Sequence, residues 1–549
     1  MKAIPFDSAA TRSPSPQVWS WICAAALGVW FGSGAFPVAP VEGDELAFLH
    51  AIGNEPPSAT LFRAKGYIYD AQPGSYWLID VIHAATALDP LVVFGVASLC
   101  GACAFLLLSS TLVAGVTEVQ TPLVVLALLL TMQEFTAAGA YANTTALGAP
   151  WTLAGMMLLR RPAGWQRYVL APTLIALGGW LRLDTLLIAP AVLLLPSRTS
   201  PQGWAWVRVV TVAGALSGVI LALLFLLSDA RLGTPLQLAI QRPQAETMVH
   251  ALTSAAPLLT SFTTAWILPL AIAVLALHRA FGVILTLAVG LAPSMILHAA
   301  SLTSTKYLYA TLPFLAIPVL WLMRWTQVAP RNACKRWCAV AIVLSIGVEN
   351  ITGFRTSTPE FRNLDPSPTF FSLAGVRMAG KIRSWVAGPG EILGHADGLR
   401  VRTGLLFAPT VWSREKARLL ETERQLGDWL ATHDHGAVLA STYLAWKVVD
   451  RELLARGFTA GEPRLESSDP TSCSVRWRRG AAEIEVVNVN KTPTARSIFS
   501  RRAAEFSNRP TIFVNDVGPA TAREFLTDRH WKLWSATPRA LLTLYVAQR

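Results

Sequence analysis

The chain has 549 residues, of which 53% are hydrophobic and only 15% charged, with a mean hydropathy of +0.43. An ordinary soluble protein carries about a quarter charged residues, so this composition excludes one and predicts a polytopic α-helical membrane protein. The 46 Lys and Arg exceed the 34 Asp and Glu, for a net charge of +12; no zinc-ligand spacing, RNP-like aromatic strand or recognition-helix pattern accompanies that surplus, so membrane lipids or phosphorylated glycans are the expected partners and nucleic acid is not.

Residues 1–17 read as a polar, Pro/Ser-rich cytoplasmic tail, and the transmembrane domain is expected over 18–352. Val18 to Val38 is the first span; with no small-residue cleavage site before the next loop, it reads as a retained helix. An outward acidic loop is expected over 41–89, with Glu42, Asp44, Glu45, Glu55, Asp70, Asp80 and Asp89 against Arg63 and Lys65. Spans at Leu91 to Val116, Pro122 to Ala140 and Asn143 to Leu159 follow, the last ending in Arg160, Arg161 and then Arg167, a cytoplasmic cluster under the positive-inside rule.

Tyr168 to Pro196 is interrupted by Arg182 and Asp184. A span needs about 20 apolar residues, so this stretch is expected to be a hairpin of two half-length helices turning at Trp180 to Asp184. Further spans are Val209 to Leu227, Pro257 to Leu277, Gly282 to Ala300, Tyr307 to Met323 and Cys338 to Ile351, with Arg279, Arg324, Arg331, Lys335 and Arg336 on the side of the earlier basic clusters. The alternation gives about 11 segments, an inside N-terminus and an outside C-terminus, in a cell (inner) membrane.

Residues 353–549 are expected to form a soluble extracytoplasmic α/β domain: from Arg355 to Arg549, 28 Lys and Arg against 20 Asp and Glu leave +8 of the total charge there. Strands are expected at Glu391 to His395, Ala437 to Ser441, Ser474 to Trp477, Glu483 to Val489, Thr511 to Asn515 and Leu541 to Ala547. Helices are expected at Arg414 to Thr432, Leu444 to Arg456 and Ala520 to Leu526. Of the cysteines, Cys23, Cys100, Cys103, Cys334 and Cys338 lie in or beside apolar segments, so Cys473 has no partner for a disulfide within this domain.

Three pairs carry the candidate chemistry. Asp44 and Glu45 sit just after the first span, where a carboxylate must be paired, hydrated or functional; the plainer reading is an N-cap for a helix starting near Leu46. Arg182 and Asp184 either pair to satisfy a helix break or line a cavity. Lys306 with Tyr307 opens a span, where Lys306 can also snorkel to the interface. Carboxylates at one wall and cations at another suit a phosphorylated substrate, the cations holding the leaving phosphate and the carboxylate taking a proton from an attacking hydroxyl. His50 can face the same cavity or act as a polar cap, and Asp70 can join Asp44 in positioning an acceptor or a divalent metal. No ligand-spaced cluster identifies a metal, and no other cofactor is expected.

The acidic segment VEGDELAFLHAIGNEPP at Val41 to Pro57, the segment QPGSYWLI at Gln72 to Ile79, WLRLDTLL at Trp180 to Leu187 and TKYLYATLPFLAI at Thr305 to Ile317 together resemble the GT-C membrane glycosyltransferases. That superfamily includes protein mannosyltransferases and lipid A aminoarabinose transferases. Lys306 stands where Arg is usual there, and Pro73-Gly74 where Pro-Pro is usual. The resemblance implies a GT-C-like fold, a polyprenyl-phosphate sugar donor, a glycan, lipid or protein acceptor, Asp44 as catalytic base, and Arg182 and Lys306 as contacts to the donor phosphate. Two other classes fit parts of the pattern: a transporter with a midplane site at Trp180 to Asp184, and a non-catalytic membrane scaffold whose basic C-terminal domain binds a glycan or a partner.

The topology is checked by fusing a reporter that is active only outside the cytoplasm. It is expected to work after Gly353 and to fail after Arg167; cytoplasmic behaviour at both sites overturns the orientation.

Overall fold

The computed structural model describes residues 71–117, 144–161, 164–195, 203–230, 281–301, 310–327, 392–395, 398–401, 408–466, 472–489, 495–515, 531–534 and 542–547, with a few isolated positions that include Gly34 and 36–39. The expected spans centred on 18–38, 122–140, 257–277 and 338–351, and the expected helix at 520–526, lie largely or wholly outside these residues.

Helix α1 (Pro73–Thr86) corrects the acidic segment at 41–89, whose last part is helical rather than loop. Pro73 presets the first turn, where a missing N–H costs nothing, and the helix ends at Ala87, whose left-handed backbone lets its N–H reach the carbonyl of His83. After it come α2 (Pro90–Thr117), α3 (Thr144–Leu159), the single turn α4 (Trp165–Tyr168) and α5 (Leu170–Leu181). A 3-10 turn (Leu183–Ile188) leads into α6 (Ala189–Leu194), followed by α7 (Trp204–Leu227), α8 (Phe281–Ser301) and α9 (Leu312–Gln327). Among the described residues, α2 and α7 are long and apolar enough to cross a membrane. Val212, Leu216, Val219 and Leu223 form one exposed apolar stripe along α7, a face that suits lipid rather than water.

The segment from Leu170 to Leu194 is the expected hairpin. It runs antiparallel to α3 as α5, stops at Arg182, and returns alongside α3 as the 3-10 turn and α6. Three contacts fix that course: Arg182 reaches Thr144 at one end of α3, Thr185 reaches Thr152 at 3.0 Å in the middle, and Arg160 donates to the carbonyl of Val192 at the other end. Small residues allow the two helices to touch, as they do in membrane packing. A Cβ on Gly148 would lie 2.8 Å from the carbonyl oxygen of Gly178, and one on Gly155 2.7 Å from that of Ala171.

The C-terminal part contains an antiparallel pair, β1 (Ile392–His395) with β2 (Gly398–Val401), and a larger unit. In the latter, α10 (Ala408–Thr432), β3 (Ala437–Ala440), α11 (Tyr443–Ala455), β4 (Thr459–Ala460), β5 (Arg464–Leu465), β6 (Cys473–Arg479), β7 (Ala482–Asn488), α12 (Ala495–Glu505), β8 (Thr511–Asn515), β9 (Trp531–Leu533) and β10 (Thr543–Ala547) follow in order. The sheet order is β4-β6-β7-β3-β8-β10-β9, with β5 also on β6; β3 is parallel to both β7 and β8, and the outer pairings are antiparallel. This is the expected α/β arrangement. The chain leaves β3 toward β7 through α11 and comes back from β7 to β8 through α12; opposite directions of travel with one crossover hand place the helices on opposite faces. Accordingly Val438, Val486, Ile512 and Leu544 pack with α10 and α11, whereas Leu439, Val487, Phe513 and Tyr545 pack with α12. Both faces of β3 are buried, which is why AVLA is apolar throughout.

Between α10 and α11 lies Glu423, 3% exposed, with the Arg451 guanidinium at 3.5 Å and no hydrogen-bond partner for Oε1. Burial raises its carboxyl from 4.5 to about 7 despite Arg451. The folded state therefore holds a proton that the unfolded chain releases, so stability falls as pH rises from about 4.5 to about 7. In a fragment of residues 392–549, denaturant unfolding is expected to show that decline, and Glu423→Gln to flatten it and to be the more stable above pH 7. Parallel pH profiles for the two proteins overturn the assignment.

Candidate active site

A helix that stops inside a membrane leaves peptide groups that no water satisfies. The break at Arg182 meets that demand with the beginning of α1. The Leu183 N–H donates to the Ala71 carbonyl at 2.9 Å, and the Ser75 hydroxyl donates to the Leu181 carbonyl at 2.6 Å. Gly74 lies under Trp180, where a Cβ would come within 2.5 Å of the indole. That contact accounts for glycine where the resembled motif carries a second proline. Trp180 in turn donates to the Ser228 hydroxyl at 2.7 Å beyond the end of α7.

The Arg182 side chain is the centre of a polar cluster. Nε donates to Asp184 Oδ1 at 2.9 Å, and Nη1 to Gln72 Oε1 at 2.6 Å and to Thr144 Oγ1 at 2.7 Å; Thr144 Oγ1 also donates to Gln72 Oε1 at 2.7 Å. Gln72 and Thr144 are buried, while Arg182 and Asp184 keep 16% of their side chains exposed. The guanidinium is thus oriented by three acceptors drawn from α1, α3 and the 3-10 turn. A fixed planar fork of this kind matches phosphate geometry better than a mobile ammonium does.

Of the residues singled out in the sequence, Arg182 and Asp184 are brought together here as an ion pair. Asp44, Glu45, His50, Asp70, Lys306 and Tyr307 lie outside the described residues. Asp70 is the sequence neighbour of Ala71, so the acidic segment leads directly into the strand of contacts with Leu183. Among the described residues no three His, Cys, Asp or Glu side chains form a group able to hold a metal. Gln72, Ser75 and Thr144 were not legible as site residues; the one available signal was their place at the ends of apolar segments, where polar residues ordinarily serve as caps.

Gln72→Ala and Thr144→Val each remove an acceptor from a partly buried cation, at a cost of about 1–3 kcal/mol. Each is expected to lower the unfolding midpoint of the detergent-solubilised protein, and the double variant to lose less than the two together, because both act through Arg182. Additive losses would show that the two residues do not share it.

No protein-family model matches the chain, and no curated protein matches it. Two solved structures are similar to it: crystal structures of ArnT from Cupriavidus metallidurans, one bound to undecaprenyl phosphate and one in the apo state. The first has a TM-score of 0.45 at 11% identity, over 96% of this chain and 98% of that one; the second has 0.44 at 11%, over 97% and 98%. ArnT is a lipid A aminoarabinose transferase of the GT-C class, the class whose motifs the sequence resembles. Likeness of that degree fixes neither the fold nor the activity of this chain.

Proposed function

We propose that the chain is a GT-C-like membrane glycosyltransferase that moves a hexosyl or pentosyl group from a polyprenyl-phosphate donor to a glycan, lipid or protein acceptor on the extracytoplasmic side. The observation that carries this reading is the oriented Arg182 guanidinium at the turn of a membrane hairpin, bonded through Gln72 to the chain that leaves the acidic segment. A lipid carrier fits because the cation sits where an apolar tail can stay in the bilayer while its phosphate reaches a polar pocket.

The reaction is a single displacement. The acceptor oxygen attacks the anomeric carbon, the bond from that carbon to the phosphate oxygen breaks, and Asp44 takes the acceptor's proton. The polyprenyl phosphate departs with its charge against Arg182, Lys306 and the Tyr307 hydroxyl. Glu45, as an adjacent like charge, raises the basicity of Asp44, and His50, Asp70 and Asp184 position the acceptor and the pocket. Arg182 acts only if it is fixed before the donor arrives, which is what Gln72, Thr144 and Asp184 provide.

The test uses membranes holding equal amounts of each variant and a polyprenyl-phosphate sugar as donor. Asp44→Asn keeps the shape and capping ability of Asp but cannot accept the proton, so transfer is expected to fall by about a hundredfold or more. Arg182→Lys and Lys306→Ala are expected to weaken use of the donor instead. Wild-type transfer by Asp44→Asn removes the catalytic assignment. A transporter built on the broken helix would move its substrate without cleaving it, so an intact donor on the far side of the membrane would decide for that reading.

A further inference from the structure

The opposite end of the same helices carries a cation that the proposed reaction does not use. Arg167, on α4, is only 4% exposed, and its Nε and Nη2 have no hydrogen-bond partner among the described residues. Burying donors of a charged group without acceptors is costly. Arg160, seven residues earlier, is engaged with the Val192 carbonyl, whereas Arg161 and Arg208 are exposed nearby in the same basic layer. From residue 144 to 230 the carboxylates are Asp184 and Asp229, and both lie at the other end of the bundle, beside Thr144 and Ser228 respectively. Nothing acidic in that stretch answers Arg167. The exposed rings of Trp165, Tyr168 and Trp204 mark the same level as a membrane interface.

A second observation lies directly below. Helix α4 packs against α3, α5 and α7, and those helices with α6 form an open-sided apolar cavity of about 260 Å³ lined by residues that include Met156, Ile175, Leu193, Val210, Gly214 and Leu221. Met156 is one turn from Arg160, and Val210 follows Arg208 by two residues, so the cavity begins beneath the basic layer. From Val210 to Leu221 it runs about 17 Å along α7, roughly half of a hydrocarbon core about 30 Å thick, the depth of one leaflet. Its width along α7 comes from Gly214 and Gly218, where a Cβ would meet nothing within 4 Å.

We propose that Arg167 and the cavity between α3, α5, α6 and α7 form a binding site for an anionic phospholipid of the adjacent leaflet, the phosphate against the Arg167 guanidinium and one acyl chain in the cavity. The two features need each other's ligand: the cavity takes a chain but gives no reason for charge, and Arg167 takes an anion but gives no reason for a chain. The headgroup phosphate supplies the missing acceptors, and Arg161 and Arg208 add long-range attraction. This site is on the face opposite the Arg182 cluster and stands whether or not the transferase reading does.

The full-length protein is reconstituted in nanodiscs of mixed phosphatidylglycerol and phosphatidylcholine, returned to detergent, and the retained lipid counted by native mass spectrometry. The wild type is expected to keep phosphatidylglycerol over phosphatidylcholine by about tenfold, because the choline cation offsets the phosphate of phosphatidylcholine whereas phosphatidylglycerol keeps a net negative charge for Arg167 and the basic layer to attract. Arg167→Gln is expected to lose the preference. Gly214→Leu, which has room for its side chain, is expected to fold and to lose retention of both lipids, and millimolar inorganic phosphate is expected not to displace the bound lipid. Equal retention of the two lipids by the wild type, an undiminished preference in Arg167→Gln, or release by inorganic phosphate overturns the proposal. Should Arg167→Gln fail to fold, Gly214→Leu decides alone, and wild-type retention in that variant overturns it.

Discussion

Everything around the candidate site depends on where the peptide groups of an interrupted helix find partners. A buried unpaired N–H or C=O costs about 1–3 kcal/mol, so a chain breaks a packed helix only where another element supplies hydrogen bonds. Here that element is the beginning of α1. Its Ala71 carbonyl and Ser75 hydroxyl take up the break at Leu181 to Leu183, and its Gln72 amide takes up the side chain that follows. The same contacts that permit the break therefore also orient the Arg182 fork. Stability of the hairpin and geometry of the cation are one property, which is why Gln72 and Thr144 matter to both.

The hairpin also separates two charge environments along one bundle. At its turn, Arg182 is paired with Asp184 and hydrogen-bonded to neutral amide and hydroxyl acceptors, which leaves the guanidinium fixed in place. At its open end, Arg160 closes onto the α6 backbone, and the remaining arginines have no carboxylate within the same helices. The two ends therefore differ: a preorganised fork paired with a carboxylate at one, and a basic layer with no carboxylate in the same helices at the other. Helix α7 spans between them, with its lipid-facing stripe on one side and Gly214 and Gly218 on the other.

How much of this was readable in the residues depends on how loudly each feature contradicts its surroundings. Arg182 and Asp184 interrupt a long apolar stretch, so the hairpin and its turn were legible, and α2, α3, α7 and α8 follow their apolar runs to within a few residues. In the C-terminal part β7 and β8 were legible as short apolar runs buried on both faces, and α10 and α11 by a buried face with helical periodicity. Helix α1 was not, because a 14-residue helix with Asp80 exposed in its middle resembles a continuation of an acidic loop. Helix α12 was hidden by its arginines: Ile498, Phe499 and Ala503 make a narrow apolar face among Arg496, Arg501 and Arg502. The two-residue strands β4 and β5 are too short to show a period at all. Gln72 and Thr144 gave no signal because an amide or hydroxyl at a helix end is commonplace until the partner across the bundle is known.

The C-terminal unit is tied to the membrane part at a place that bears on the site. Lys416 on α10 is 2% exposed, and its ammonium donates to the carbonyl of Gly34 at 3.1 Å. Ala39 is part of the same core that holds Leu419, Leu426 and Trp429. A buried ammonium is tolerated only with acceptors in place, and the Gly34 carbonyl is one of those that meet Lys416. The chain that leaves Ala39 enters the acidic segment two residues later. The α/β unit has its own two-faced core and can fold from that alone, but the starting point of the segment carrying Asp44 and Glu45 is set on its surface. Two anchors consequently bracket that segment, α10 holding it before Val41 and the Ala71 to Leu183 bond holding it after Asp70.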